Sequence, residues 1–363
     1  MTSDPALSAV TVRDFERLAA DTLDQSAFDY IAGGAGDERT LVANEAAFGS
    51  WQLRPRVLVD VAAVDTATTL LGQPVSAPFG VAPVAFQHFA HPDAEPALAR
   101  AAASAGITYC LSTMSSRSME EVADAADAGP GGGPRWFQLY VHRDRARSAS
   151  LVARAAAAGY GALVLTVDLP VAGSRDRDLR NRLAYPQTFG NFPPTVAGDA
   201  GDESIAVTIG ELNDASFTWA DLVWLRSLTD MPLVVKGILT AEDAELAVAH
   251  GAAAVIVSNH GGRQLDRTPP AIAVLPEVVD AVGGRAEVYA DGGIRRGADV
   301  LVALALGARG VFIGRPAVYG LAVGGESGAR RVLDILAAEL RTAMALLGVT
   351  RPDEVTAQHV RRA

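Results

Sequence analysis

The sequence predicts an α/β fold: a single (β/α)8 TIM barrel over residues 1–363, with an N-terminal helical extension (1–55) and a long loop (171–215) after the fourth strand. Three observations carry this. Eight short apolar runs recur along the chain, each followed by a segment of helical character. The runs are apolar throughout rather than alternating, as expected for parallel strands buried on both faces. Most of them end in polar or glycine residues, which suits a barrel whose chemistry lies at the C-terminal ends of its strands. A doubly wound open sheet is the alternative, weakened because no GxGxxG follows an early strand.

The elements follow in order. Residues 10–48 read as helical: Thr11 caps Val12–Ala20, and Gln25–Ala32 ends at Gly33-Gly34. Strand 1 is Pro78–Val84, and the Ala-rich helix Ala94–Ala105 is stopped by Gly106. Strand 2 is Ile107–Leu111 with helix Ser118–Ala128, and strand 3 is Trp136–Tyr140 with helix Ala146–Ala158, stopped by Gly159. Strand 4 is Ala162–Val167. Residues 171–215 then break the rhythm, being polar and rich in Gly, Pro, Asp and Asn; a loop this long is usually functional or mobile. The alternation resumes with a helix at Trp219–Ser227, strand Leu233–Val235, a helix at 241–249, strand Ala253–Val257 and a helix at 271–282. Strand Glu287–Ala290, a helix at 296–306, strand Gly310–Ile313 and a helix at 329–347 complete the chain.

Composition narrows the function. Hydrophobic residues are 49% and aromatics only 6%, which suits helices packed on parallel strands better than an aromatic-rich sandwich. A net charge of −11 argues against a nucleic-acid footprint and against a polybasic membrane surface. An anionic substrate must therefore be held by local arginines. The one cysteine, Cys110, excludes an internal disulfide and a Cys-based zinc cluster, and no metal is expected. No segment approaches about 18 consecutive apolar residues, and Met1–Pro5 does not open a signal peptide. The expected location is the cytoplasm.

Ser258-Asn259-His260-Gly261-Gly262-Arg263-Gln264-Leu265-Asp266 follows strand 6 directly. It joins a base that titrates near neutral pH to a fixed cation shaped for carboxylates, with glycines that permit tight turns. Of the 31 basic residues only Lys236, after strand 5, is lysine, which marks a position where a broad guanidinium does not serve. The other strand ends supply Val84 and Ala85, Ser112 and Thr113, Gln138 and Tyr140, and Thr166 and Asp168. Strands 7 and 8 end in Asp291-Gly292-Gly293-Ile294-Arg295 and Gly314-Arg315, each leading into a helix N-terminus, as phosphate sites at these barrel positions do. Each of these alone is as easily a helix cap or a turn; together they form one ring of hydrogen-bonding groups.

These residues resemble the FMN-dependent 2-hydroxy-acid oxidase and dehydrogenase family, which includes glycolate oxidase, lactate oxidase, mandelate dehydrogenase and 4-hydroxymandelate oxidase. The resemblance spans roughly residues 11–347. It is carried by Ser258–Asp266 and supported by Phe28-Asp29-Tyr30 with Gly33-Gly34, Val81-Ala82-Pro83 with His91-Pro92, Trp136–Tyr140, Leu165–Asp168 and Asp291–Arg296. It implies an FMN enzyme that oxidises an (S)-2-hydroxy acid to the 2-oxo acid, with O2 as acceptor and H2O2 as product. By the resemblance, His260 is the base, and Asp168 stabilises its imidazolium form. Arg175 and Arg263 clamp the substrate carboxylate, aided by Tyr30 and Tyr140. Lys236 sits at the flavin N1/O2 edge. Ala85, Ser112, Gln138 and Thr166 meet the ring, with Val84 beside them. Ser258 and Asp291 lie by the ribityl chain, and Gly292, Gly293, Arg295, Gly314 and Arg315 lie around the phosphate. Relatives are often homo-oligomers, tetramers or octamers.

The chain departs from relatives in three places. Met114 stands where glycolate oxidases carry Trp and lactate oxidases Tyr, Ser174 replaces the first of two adjacent basic residues, and Val84 replaces a polar residue. Met114 borders the substrate side chain, and with Val84 it favours an apolar acid, lactate-like or mandelate-like. Three alternatives stay open: an FMN-dependent dehydrogenase or lactate 2-monooxygenase, a non-catalytic FMN-binding protein, and a Schiff-base lyase using Lys236.

Overall fold

The computed structural model describes residues 5–129, 132–183, 189–192 and 213–363. Much of the expected 171–215 loop, at 184–188 and 193–212, lies outside the described residues. Eight parallel strands close into a barrel: β1 (Phe79–Val81), β2 (Thr108–Leu111), β3 (Arg135–Leu139), β4 (Leu163–Thr166), β5 (Leu233–Ile238), β6 (Ala254–Val257), β7 (Glu287–Asp291) and β8 (Gly310–Ile313). Closure is made by β8 on β1, where Val311 pairs with Phe79 and Ile313 with Val81. Before the barrel run α1 (Val12–Thr22), α2 (Gln25–Ala32) and α3 (Arg39–Ala46). Thr11 caps α1 in a reciprocal box with Asp14, as its position before the apolar stripe predicts.

The barrel interior is filled at its lower end. Trp136, Tyr289 and Phe312 interlock with ring centroids 5.2–5.7 Å apart and are essentially unexposed. A hairpin missing from the sequence reading, Thr68–Leu70 with Gln73–Val75, closes this end. Its Leu70 and Val75 join the same cluster, and Trp136 Nε1 donates to Gln73 Oε1 at 3.2 Å. A plugged floor leaves only the C-terminal ends of the strands for chemistry.

The structure revises several boundaries. Strand β1 stops at Val81, because Pro83 has no amide to continue the ladder, so Val84 and Ala85 sit in a loop. Strand β5 runs on to Ile238, with a register shift between Lys236 and Ile238. Gly237 in that bulge has φ +112°, and a Cβ there would lie 2.7 Å from Asp168 Cβ. Only glycine allows the bulge to pass Asp168, so Lys236 and Asp168 come together. The last helix is longer than 329–347: α5 (Arg315–Leu347) follows β8 directly, with a kink at Gly324 and Gly325. The N-terminal extension ends in a strand, Trp51–Leu53, paired antiparallel with Val360–Arg362.

Candidate active site

His260 follows β6 with φ +58°, a left-handed conformation unusual outside glycine. Gly261 and Gly262 continue in the same region, so the chain coils tightly and turns the imidazole back over the barrel mouth. Ser258 Oγ accepts the His260 amide at 3.0 Å and fixes the start of this turn. The His260 Nδ1 lies 2.9 Å from Asp168 Oδ1. Burial alone would raise the Asp168 carboxyl, but the charge and hydrogen bond of His260, and then Lys236, hold it below the ordinary value. An ionised carboxylate only accepts, so Nδ1 carries a proton, and Nε2 is the nitrogen turned to the cleft. That Nε2 lies 3.4 Å from Tyr140 Oη.

A pH dependence follows. A carboxyl held low in the fold adds stability that is present above its unfolded value, about 3.9, and is lost as pH falls through the lower folded value. In thermal melts, the stability advantage of the native chain over Asp168→Asn is therefore larger at about pH 5 than at about pH 3, shrinking below about pH 4. An advantage that grows on acidification contradicts this.

Lys236 is 4% exposed. Its Nζ donates to Ser258 Oγ at 2.8 Å and pairs with Asp291 Oδ2 at 3.1 Å. Burial would lower this ammonium, but Asp291 and then Asp168 raise it above the ordinary lysine value. It is a fixed cation. A Schiff-base lysine must shed its proton, so this environment opposes the lyase alternative.

In the same cleft, two guanidinium groups lie against the Tyr30 ring, with Arg263 Cζ 5.0 Å and Arg175 Cζ 5.7 Å from its centroid. Arg263 is lowered by burial and by the charge of Arg175, and Arg315 is lowered to about 10 by burial and by Arg263. Crowded, desolvated cations on a chain of net charge −11 form a site for an anion. Burial raises both phenols, Tyr30 against the pull of the arginines and Tyr140 with help from Asp168, so both remain hydroxyl donors.

These groups share one cleft of about 1100 Å³, part of it open to solvent. Tyr30, Met114, Tyr140, Arg175, His260 and Arg263 line it. So do Val84, Ala85, Ser112, Thr166 and Lys236 along the strand ends, and Asp291, Gly292, Gly293, Arg295, Gly314 and Arg315 around β7 and β8. Three expected site residues are not on its surface. Asp168 backs His260, and Ser258 is fully buried beneath Lys236 and His260. Gln138 lies behind Ser112, with its Oε1 accepting from Ser112 Oγ and the Thr113 amide. Arg315 donates to the carbonyls of Ile31, Gly33 and Gly261, and Arg295 pairs with Glu45 at 2.8 Å. Both heads are therefore already anchored by the chain.

Other supports escaped sequence reading. Asp178 Oδ2 faces Arg175 Nε at 3.3 Å, both side chains being under 10% exposed. Gln264 ties the start of the expected loop together, donating to the carbonyls of Asp168 and Val171 and accepting from the Gly173 amide. Asn44 and Asn259 exchange two amide hydrogen bonds of 2.8 Å, which fixes α3 to the His260 turn. Asp178 lies three residues past Arg175, a spacing that could have pointed to it; Gln264 and Asn44 carry no local signal.

The polar groups left over fit a flat, hydrogen-bonding cofactor. Gln138 Nε2 and Thr166 Oγ1 are buried without a partner, as is Asp291 Oδ1. Unpaired polar groups at three strand ends call for a ligand that supplies donors and acceptors. Among the described residues no group of three or more His, Cys, Asp or Glu is placed to hold a metal.

A family model described as FMN-dependent dehydrogenase matches residues 19–362. The chain belongs to the FMN-dependent dehydrogenase family. It is 48% identical over 357 residues to an L-lactate oxidase of Nostoc sp., covering 96% of this chain and 97% of that protein. It is 49% identical over 355 residues to a peroxisomal (S)-2-hydroxy-acid oxidase of Oryza sativa subsp. japonica, covering 97% and 95%. A solved mandelate oxidase with (S)-4-hydroxymandelic acid superposes with a TM-score of 0.88 at 44% identity, covering 98% of this chain and 99% of that one. As a member of the FMN-dependent dehydrogenase family this chain takes FMN, the group that the unpaired strand-end atoms suit. Among the described residues, no helix is long and apolar enough to cross a membrane.

Proposed function

We propose that this chain is an FMN-dependent (S)-2-hydroxy-acid oxidase that converts the acid to its 2-oxo acid and passes the electrons to O2, forming H2O2. The observation that carries this reading is the Asp168–His260 pair, whose Nε2 faces Tyr140 Oη in a cleft walled by Arg175 and Arg263. The two arginines hold the substrate carboxylate, and Tyr30 and Tyr140 donate to the bound acid. His260 Nε2 takes the proton of the α-hydroxyl. Bound FMN would supply the acceptor for the two electrons and the hydrogen that leave the α-carbon.

Ala85, Ser112 and Thr166 would hold the flavin ring, with Val84 at its margin and Gln138 behind Ser112. Lys236 would supply a positive charge there. Asp291, backed by Ser258, would serve the ribityl side, and Gly292, Gly293, Arg295, Gly314 and Arg315 the phosphate. Met114 and Val84 give the cleft an apolar wall, which supports a lactate-like or mandelate-like acid. The oxidase names of the relatives support O2 as acceptor over a dehydrogenase or monooxygenase.

The test is an anaerobic absorbance titration with racemic lactate, glycolate, mandelate and 4-hydroxymandelate, followed by air. Bleaching by an acid, then fast recolouring with peroxide, is expected. Slow recolouring points to a dehydrogenase, and decarboxylated product without peroxide to a monooxygenase. A flavin that no acid bleaches sinks the reading in favour of a non-catalytic FMN-binding protein.

We also read the chain as one barrel domain that forms a cytoplasmic homotetramer. The exposed Val57, Leu58 and Val59 support self-association. Sedimentation of a 37.7 kDa monomer would rule the tetramer out.

A further inference from the structure

We propose that Arg177, outside the cleft, is a positioning residue for substrate binding: it latches the segment carrying Arg175 to helix α2, which carries Tyr30 and whose C-terminal end holds Arg263. This rests on the reading that Arg175, Arg263 and Tyr30 grip the substrate carboxylate.

The latch joins two segments far apart in sequence. From α4 (Asp176–Asn181), Arg177 Nη1 reaches Asp29 Oδ1 at 3.2 Å and Nη2 reaches Glu38 Oε2 at 2.6 Å. Asn181 Nδ2 adds a bond to Asp29 Oδ2 at 2.9 Å. Each acceptor is tied to a clamp residue. Asp29 immediately precedes Tyr30 in α2. Glu38 accepts the Gly34 amide at 2.9 Å through its other oxygen. The neighbouring Gly33 carbonyl and the Tyr30 carbonyl accept Arg263 Nη1 at 2.9 and 2.7 Å. On the other side, Arg177 is two residues from Arg175, and the Ser174 carbonyl accepts the Gly36 amide at 2.9 Å.

The electrostatics explain why a latch is needed. Arg175 and Arg263 both lie against the Tyr30 ring, and burial and the charge of Arg175 lower Arg263. Like charges in a desolvated site repel, which pushes the two segments apart when no anion lies between them. Asp178 offsets part of this from within, and Arg177 closes the outer edge with two carboxylates. A two-pronged guanidinium in a network is the geometry in which a partly exposed ion pair contributes measurably. Arg177 is one-third exposed and does not line the cleft, so it acts on the substrate only through the clamp.

The test compares the flavin-loaded native enzyme with Arg177→Gln, Arg177→Lys and Asn181→Ala, using (S)-lactate and (S)-mandelate. For Arg177→Gln the expected result is a KM raised about tenfold, with kcat within about twofold. Lysine recovers part of the loss, and Asn181→Ala raises KM in the same direction by about twofold to threefold. At about 1 M NaCl, where charges are screened beyond about 3 Å, the KM ratio between Arg177→Gln and the native enzyme narrows. An unchanged KM, or a fall in kcat at constant KM, overturns the latch. If Arg177→Gln does not fold, Asn181→Ala decides by the same criterion. Arg175→Lys separates the two readings: if it leaves KM unchanged the clamp itself is wrong, whereas if it raises KM and Arg177→Gln does not, only the latch is wrong.

Discussion

His260→Gln lowers the anaerobic rate of flavin bleaching by about three orders of magnitude, within the range a positioned general base contributes. Glutamine keeps a donor for Asp168 and fills similar space, but it has no basic nitrogen to take the hydroxyl proton. Because Asp168 fixes the proton on Nδ1, the whole of the lost basicity belongs to Nε2. The turn tolerates the change, since it is set by Ser258 and the two following glycines rather than by the imidazole. Thermal stability should therefore stay within about 1 kcal/mol and flavin content should not change. Stopped-flow bleaching checks the rate, and a variant within tenfold of the native enzyme assigns the base elsewhere.

Lys236→Met produces the largest loss of stability, about 3–5 kcal/mol, because it leaves Asp291 buried without its cation. Ser258 loses a donor in the same step. On the proposal that Lys236 stands beside the flavin, the purified variant is pale as well as labile. Denaturant unfolding gives the first effect and the absorbance ratio of flavin to protein the second. Adding Asp291→Asn recovers part of the stability, since a neutral amide in that site costs less than an unpaired carboxylate. If the double variant is less stable than Lys236→Met, the ion pair is not the source of the loss.

His260, Lys236 and Asp168 were legible as candidates because each sits at or just past a strand end that its own neighbours define. An apolar run followed by Ser258–Asp266 locates His260 and Arg263 without knowledge of the rest of the fold. The assignment of Arg175 to the clamp came from the resemblance, and Arg175 lines the cleft whereas Arg177 does not. Ser258 and Gln138, both expected at the site, do not line the cleft directly. Strand position tells which end of the barrel a side chain is near, but not whether a neighbour such as Lys236 or Ser112 covers it.

By itself, the sequence determined the eight apolar strands, their parallel arrangement, the end of the barrel that carries the chemistry and the residue types found there. These depend on burial and turn formation within a few residues. Only the tertiary structure decided the floor hairpin under Trp136, the Asp178 and Gln264 supports, and the Arg177 latch. Barrel closure creates those contacts: it brings Tyr140 to His260 across 120 residues and Tyr30 to Arg263 across 233. No local pattern of polarity encodes a partner that distant, because the contact exists only after the whole ring has closed.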